Sequence, residues 1–120
     1  KKMEEADRTI ALEREKAMND LQTLAKDTRT LYGAEAKYLV AQQLYKAGEY
    51  AAAEKEILNF IDQSTPHAYW LARSFVLLSD VYVAMDKKLD ARQYLLSLQQ
   101  NYHADDDIEQ MINERLEKLK

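Results

Sequence analysis

Tyr38, Gln42 and Tyr45 stand four and three residues apart, so on a helix they share one face and present two phenol rings flanking a carboxamide. Such a face suits an extended peptide or a partner helix, with the rings supplying contact area and the polar tips direction. The same spacing equally suits two tyrosines packed between adjacent helices with their hydroxyls in water. Other residue types able to do chemistry lack companions. His67 and His103 are the only imidazoles, each in a connection between helices, and neither has a second His or a Cys at ligand spacing. Asp105, Asp106 and Asp107 lack the glycine and closing glutamate of a calcium loop, and helix capping accounts for them. Ser74, Ser79 and Ser97 sit in no glycine-rich elbow, and the chain has no glycine-rich phosphate loop. Paired carboxylates are what solvated helix faces produce at 32% charged residues, and none can be assigned as acid or base. No catalytic residue, bound metal or cofactor is expected.

The elements that must position these residues follow from composition and periodicity. The chain has 120 residues, 47% of them hydrophobic, which is enough for one domain burying about two-thirds of its unfolded surface. Seventeen basic and 21 acidic residues are interspersed, for a net charge of −4. That balance lacks the basic stripe a phosphate backbone requires, so nucleic acid is not an expected partner. No apolar run approaches the roughly 20 residues of a membrane-spanning helix, so direct membrane insertion is not expected. The absence of cysteine excludes disulfides and thiolate metal sites. The chain opens on Lys1-Lys2 rather than Met, so it reads as a piece of a longer protein with any targeting signal upstream.

Only two glycines and one proline interrupt a chain rich in Ala, Leu, Glu, Lys and Gln, which predicts an all-α fold. Breaks at Thr30 to Gly33, Gly48-Glu49, Ser64-Thr65-Pro66, Met85 to Lys88 and Asn101 to Asp107 leave six helices. The first covers 3–28. Its seven-residue series Met3, Ile10, Ala17, Leu24 is not a coiled coil, because the second heptad position holds Ala6, Glu13, Asp20 and Asp27. A helix over about 34–47 ends at Gly48 and pairs with 50–60 as an αα-hairpin, with Ala41 and Ala53 permitting close approach. Thr65 as cap and Pro66 at the first position start a helix running to about Met85, which pairs with 89–100. A last helix over 107–119, with Asp106 and Glu109 at capping-box spacing, carries Ile108, Met111, Ile112 and Leu119 on one face and reads as a polar-backed cap. One pattern recurs through these segments: Ala17, Leu21, Leu24; then Ala53, Ile57, Phe60; then Ala91, Leu95, Leu98. Its steps of 36 and 38 residues are those of a helical solenoid.

At these residues the sequence resembles the tetratricopeptide repeat family. The likeness lies in Gly48-Glu49-Tyr50-Ala51-Ala52-Ala53 with Ala41, Leu44, Ile57 and Phe60, and again in Leu78, Tyr82, Ala91, Leu95 and Leu98. It departs at the second turn, where Asp86-Lys87 replaces glycine, and in a repeat longer than the family's usual unit. The resemblance implies a right-handed superhelix of antiparallel hairpins: a partial repeat over 1–30, repeats over 31–62 and 65–101, and a capping helix over 106–120. It also implies that the first helix of each hairpin lines a concave groove, to which Glu35, Tyr38, Gln42 and Tyr45 contribute from one repeat and Arg73, Val76, Asp80 and Val83 from the next. The carboxylate-gripping set of some family members is not expected, since Tyr38, Gln42 and Leu77 occupy its positions and Arg73 alone survives. Trp70, beside Tyr69 at the start of a helix, reads as a staple onto the preceding hairpin rather than as an interface anchor. Tyr32-Gly33-Ala34-Glu35-Ala36-Lys37-Tyr38 and Tyr69-Trp70-Leu71-Ala72-Arg73 are further similar to the C-terminal end of large repeat proteins of Bacteroidetes, which implies a periplasmic or outer-membrane-associated location.

The expected function is therefore a non-catalytic adaptor that holds a partner protein or peptide in the groove. The competing expectation is a purely structural end of a longer solenoid, with residues 3–24 docking on upstream repeats or on a second copy.

Overall fold

The structure is a computed structural model that describes residues 16–63 and 65–120. Among the described residues the chain is entirely helical, with no strand. Residues 16–24 are helical (α1), followed by α2 (Leu31–Lys46), α3 (Tyr50–Asp62), α4 (Ala68–Ala84), α5 (Lys88–Asn101) and α6 (Ile108–Lys118).

Two turns make the hairpins. Gly48 adopts φ +79°, donates its N–H to the Tyr45 carbonyl at 3.0 Å, and Glu49 N–H reaches the Leu44 carbonyl at 2.9 Å. Those bonds satisfy the last carbonyls of α2 and turn the chain back sharply, so α3 packs antiparallel on α2. Thirty-eight residues later the same bonds recur: Asp86, at φ +61°, donates to Val83 and Lys87 N–H to Tyr82. The second turn thus copies the glycine turn with a residue that carries a Cβ. Aspartate tolerates this left-handed conformation better than most side chains, at some cost relative to glycine.

The repeated apolar positions carry the packing of both hairpins. Ala53, Ile57 and Phe60 are at most 1% exposed, and Ala91, Leu95 and Leu98 are buried in the same register. Ala53 and Ile57 join Tyr38 and Ala41 of α2 and Leu78 and Val81 of α4 in one core. Leu95 and Leu98 join Val76 of α4 and Ile108 and Ile112 of α6 in a second. α4 rests on both α2 and α3, and α6 rests on both α4 and α5, so one packing step is made twice. Each fully buried Leu, Ile or Phe contributes about 1.5–3 kcal/mol. α6 turns Glu109, Asn113 and Glu117 outward, which is the polar back expected of it.

Four expectations need correction. Within the first copy of the pattern, Leu21 packs as expected, but Ala17 is exposed and Leu24 is 53% exposed; Met18 of α1 and Ala25 just beyond it join Leu21 against Ala36 and Val40. The remainder of the expected helix, 3–15, lies outside the described residues. α2 begins at Leu31, not near Ala34, because the Thr30 hydroxyl oxygen accepts from Gly33 N–H at 2.9 Å and caps the helix. Gly33 is therefore inside the helix, where a Cβ would overlap the Asp27 carbonyl oxygen, so the glycine answers a close approach rather than a break. α4 starts at Ala68: the Thr65 hydroxyl donates to the Thr28 carbonyl at 2.7 Å and its oxygen accepts from His67 N–H at 3.2 Å, short of the helix, so no side chain caps α4. The capping box at α6 does not form; Asp107 occupies the cap position without a side-chain bond, and Asp106 Oδ1 accepts from Ile108 N–H at 2.9 Å.

Candidate binding surface

The first helices of the two hairpins, α2 and α4, and the terminal helix α6 frame two adjoining clefts. The narrower, about 170 Å³, lies among Tyr38, Gln42, Arg73, Val76 and Met111. The wider, about 590 Å³, lies among Val83, Lys88, Leu95, Glu114 and Lys118. Tyr45, Asp80 and Arg115 belong to both, so the clefts form one continuous surface.

Of the eight residues assigned to a groove, Tyr38, Gln42, Tyr45, Arg73, Val76, Asp80 and Val83 line this surface, and Glu35 does not. Their exposure divides them. Tyr38 and Val76 are 5% and 2% exposed and form the floor, whereas Val83 is 40% exposed. Gln42, Tyr45, Arg73 and Asp80 are half-buried.

Tyr38 and Arg73 form the hub at one end. Arg73 Nη2 donates to the Tyr38 hydroxyl at 3.1 Å and Nη1 to the Tyr69 hydroxyl at 3.0 Å. Tyr69 in turn donates to Asp107 Oδ1 at 2.9 Å, at the entrance of α6, and Gln42 Nε2 donates to the Tyr38 oxygen at 3.3 Å. The guanidinium also lies 5.0 Å from the centre of the Tyr38 ring. Burial opposes charge on Arg73, but the bonds to Tyr69 and Tyr38 outweigh it and hold its pKa above the ordinary value. Tyr69 titrates above the usual phenol range, chiefly through burial and also through its bond to Asp107. Trp70 packs its ring 5.5 Å from that of Tyr38, across the junction between hairpins.

At the other end Asp80 is engaged by α6. Arg115 Nε meets Oδ1 at 2.9 Å and Nη2 meets Oδ2 at 3.0 Å, a bidentate fork, while Nη1 donates to the Met111 carbonyl. Burial, with the nearby Asp80 charge adding to it, raises the pKa of Tyr45. The surface therefore offers preordered polar groups beside half-buried rings and aliphatic side chains.

The sequence reading missed the contribution of α6. Met111 and Arg115 complete the narrower cleft, and the signal for Arg115 was its distance of 35 residues from Asp80, which equals that from Tyr38 to Arg73. It also missed Lys37, 9% exposed, whose Nζ lies 2.7 Å from Glu56 Oε2 and ties α2 to α3. Several other candidates are already hydrogen-bonded. His67 Nε2 lies 3.0 Å from the Arg29 carbonyl oxygen, and His103 Nε2 lies 2.9 Å from that of Gln100. Ser74 and Ser79 donate back to the carbonyls of Trp70 and Val76. No group of three His, Cys, Asp or Glu side chains among the described residues is arranged to hold a metal ion. No helix among them is long and apolar enough to cross a membrane. Comparison with protein-family models, with curated proteins and with solved structures gives no match.

Proposed function

We propose that this chain is a non-catalytic protein-binding module of tetratricopeptide-like design, in which stacked hairpins form a right-handed superhelix and a segment of a partner protein lies across α2, α4 and α6. The observation that supports it is the convergence of seven residues from α2 and α4 on one continuous surface that ends on an exposed aliphatic side chain, Val83. The same proposal includes a cell-envelope location, for which the support is the sequence resemblance to Bacteroidetes repeat proteins. The test is selection of peptides from a displayed random library, followed by affinity measurements with Val83→Arg and Gln42→Ala in the groove and Leu96→Arg on α5 as control. Tyr38→Ala is unsuitable, because that ring is part of the core. Affinity should fall with the groove variants alone, at unchanged helicity. Equal affinity across all three variants sinks the reading.

A second reading has its own observation. Leu24, Leu31 and Tyr32 are 53%, 50% and 72% exposed around the α1–α2 junction, whereas the outer face of α6 is polar. An apolar N-terminal end and a polar C-terminal end are what the last turns of a longer repeat array would show. Sedimentation of the chain alone and with any upstream repeats would separate the two readings.

A further inference from the structure

We infer that the segment this groove holds is acidic, with an apolar side chain between its carboxylates; the inference rests on the groove reading above. Charge is unevenly placed on the molecule. The chain as a whole carries −4, yet the two clefts are lined by five cations, Lys46, Arg73, Lys88, Arg115 and Lys118, against two carboxylates, Asp80 and Glu114.

The existing pairings sharpen the imbalance. Asp80 is taken by Arg115, and Glu114 Oε1 accepts from Gln110. Arg73 is engaged by two phenol oxygens and has Asp107 4.0 Å away. Lys46, Lys88 and Lys118 form no ion pair among the described residues and are exposed. Lys46 and Lys118 lie in the last turns of α2 and α6, where the helix dipole alone favours a cation. Lys88 is different. It is the first residue of α5, where the dipole opposes positive charge and Asp90 of the same turn is the favoured type. A cation kept at that position faces the wider cleft, with Val83, Ala84 and Leu119 on the same wall.

Lysines around an aliphatic patch complement a short peptide stretch in which Asp or Glu flanks Leu or Phe. The aliphatic patch favours a peptide over a nucleic acid strand, whose recognition calls for stacking platforms along a longer basic track.

Three synthetic peptides distinguish the possibilities by fluorescence anisotropy at low and high salt: one with acids flanking Leu and Phe, one with Gln and Asn at the acidic positions, and one with Lys there. RNA and heparin serve as polyanion controls. The acidic peptide should bind about tenfold more tightly than the neutral one, weaken with salt, and lose about tenfold on Lys88→Glu with Lys118→Glu. The milder Lys88→Gln with Lys118→Gln should lose part of that, at unchanged helicity. Neutral or basic peptides binding as tightly, and sensitive to Val83→Arg, would overturn the acidic inference and leave the groove reading standing. Tighter binding of RNA or heparin, abolished by the lysine variants, would overturn the peptide class. Binding by none of these would overturn both readings.

Discussion

Arg115 grips Asp80 through both carboxylate oxygens across 35 residues, the separation at which Arg73 meets the Tyr38 hydroxyl one hairpin earlier. One sequence step therefore joins α2 to α4 and α4 to α6. Six hydrogen-bonded pairs share this scale: Thr28–Gln63, Thr28–Thr65, Arg29–His67, Tyr38–Arg73, Tyr69–Asp107 and Asp80–Arg115 span 35 to 38 residues. The repeat written in alanines and leucines is written again in polar contacts between consecutive units.

The Asp80–Arg115 fork should contribute to the docking of α6. Its side chains are 26% and 29% exposed, so solvent screens it less than a surface pair. Asp80→Ala and Arg115→Ala should each cost about 1–2 kcal/mol, and a double-mutant cycle in urea should give a coupling of about 1 kcal/mol. Arg115→Lys should recover less than half, because an ammonium cannot reproduce the fork. Additive single effects would mean that α6 is held by Ile108 and Ile112 alone.

The two glycines should respond differently to the same substitution. Gly33→Ala drives a methyl into the Asp27 backbone within the well-formed first turn of α2, so a loss of about 2 kcal/mol or more is expected. Gly48→Ala meets no neighbour and costs only the left-handed conformation, about 1 kcal/mol. At the matching turn, Asp86→Gly should stabilise by up to about 1 kcal/mol. Thermal unfolding of the three variants gives the order directly.

The hairpins were legible because the residues that fix them act locally. Gly48 ends α2 through its own dihedral angle, and Ala53, Ile57 and Phe60 repeat at a period that only a helix satisfies. What escaped depends on contacts between segments far apart in sequence. Thr65 has the composition of a cap, but with its hydroxyl donated to the distant Thr28 carbonyl its oxygen accepts from His67 N–H, ahead of the helix rather than within it. Gly33 looks like a break until the Asp27 backbone arrives beside it. Seven of the eight residues assigned to a groove line the two clefts because a helix face is local, whereas Arg115 and Lys118 enter through the placement of α6.

Alkaline pH should weaken the fold through its buried phenols. Burial, followed by the bond to Asp106, pushes the Tyr102 pKa up to about 12, and burial also raises that of Tyr82. A phenol with a raised pKa in the folded state keeps its proton there while the unfolded chain loses it. Its contribution is fully present below about pH 10, the unfolded value, and is lost as pH rises toward 12. Urea midpoints should fall across that window, in step with tyrosinate absorbance. Tyr102→Phe should be less stable at neutral pH, having lost the 2.5 Å bond to Asp106, but should lose less stability on alkalinisation.

The sharpest test of the repeat compares Leu24 with Phe60, which occupy the same position of the pattern in successive copies. Phe60 is 1% exposed, beneath the packed hairpins, and Leu24 is 53% exposed, because Met18 and Leu21 of α1, with Ala25 just beyond it, face α2 instead. Phe60→Ala should therefore cost about 3–5 kcal/mol and unfold a large fraction of the chain, whereas Leu24→Ala should change stability by less than about 0.5 kcal/mol. The comparison also separates the two functional readings. If preceding repeats cover Leu24 in a longer protein, Leu24→Ala would be silent in this chain and would destabilise the extended one by the amount a buried leucine contributes. A silent result in both would leave the N-terminal end as ordinary solvated surface.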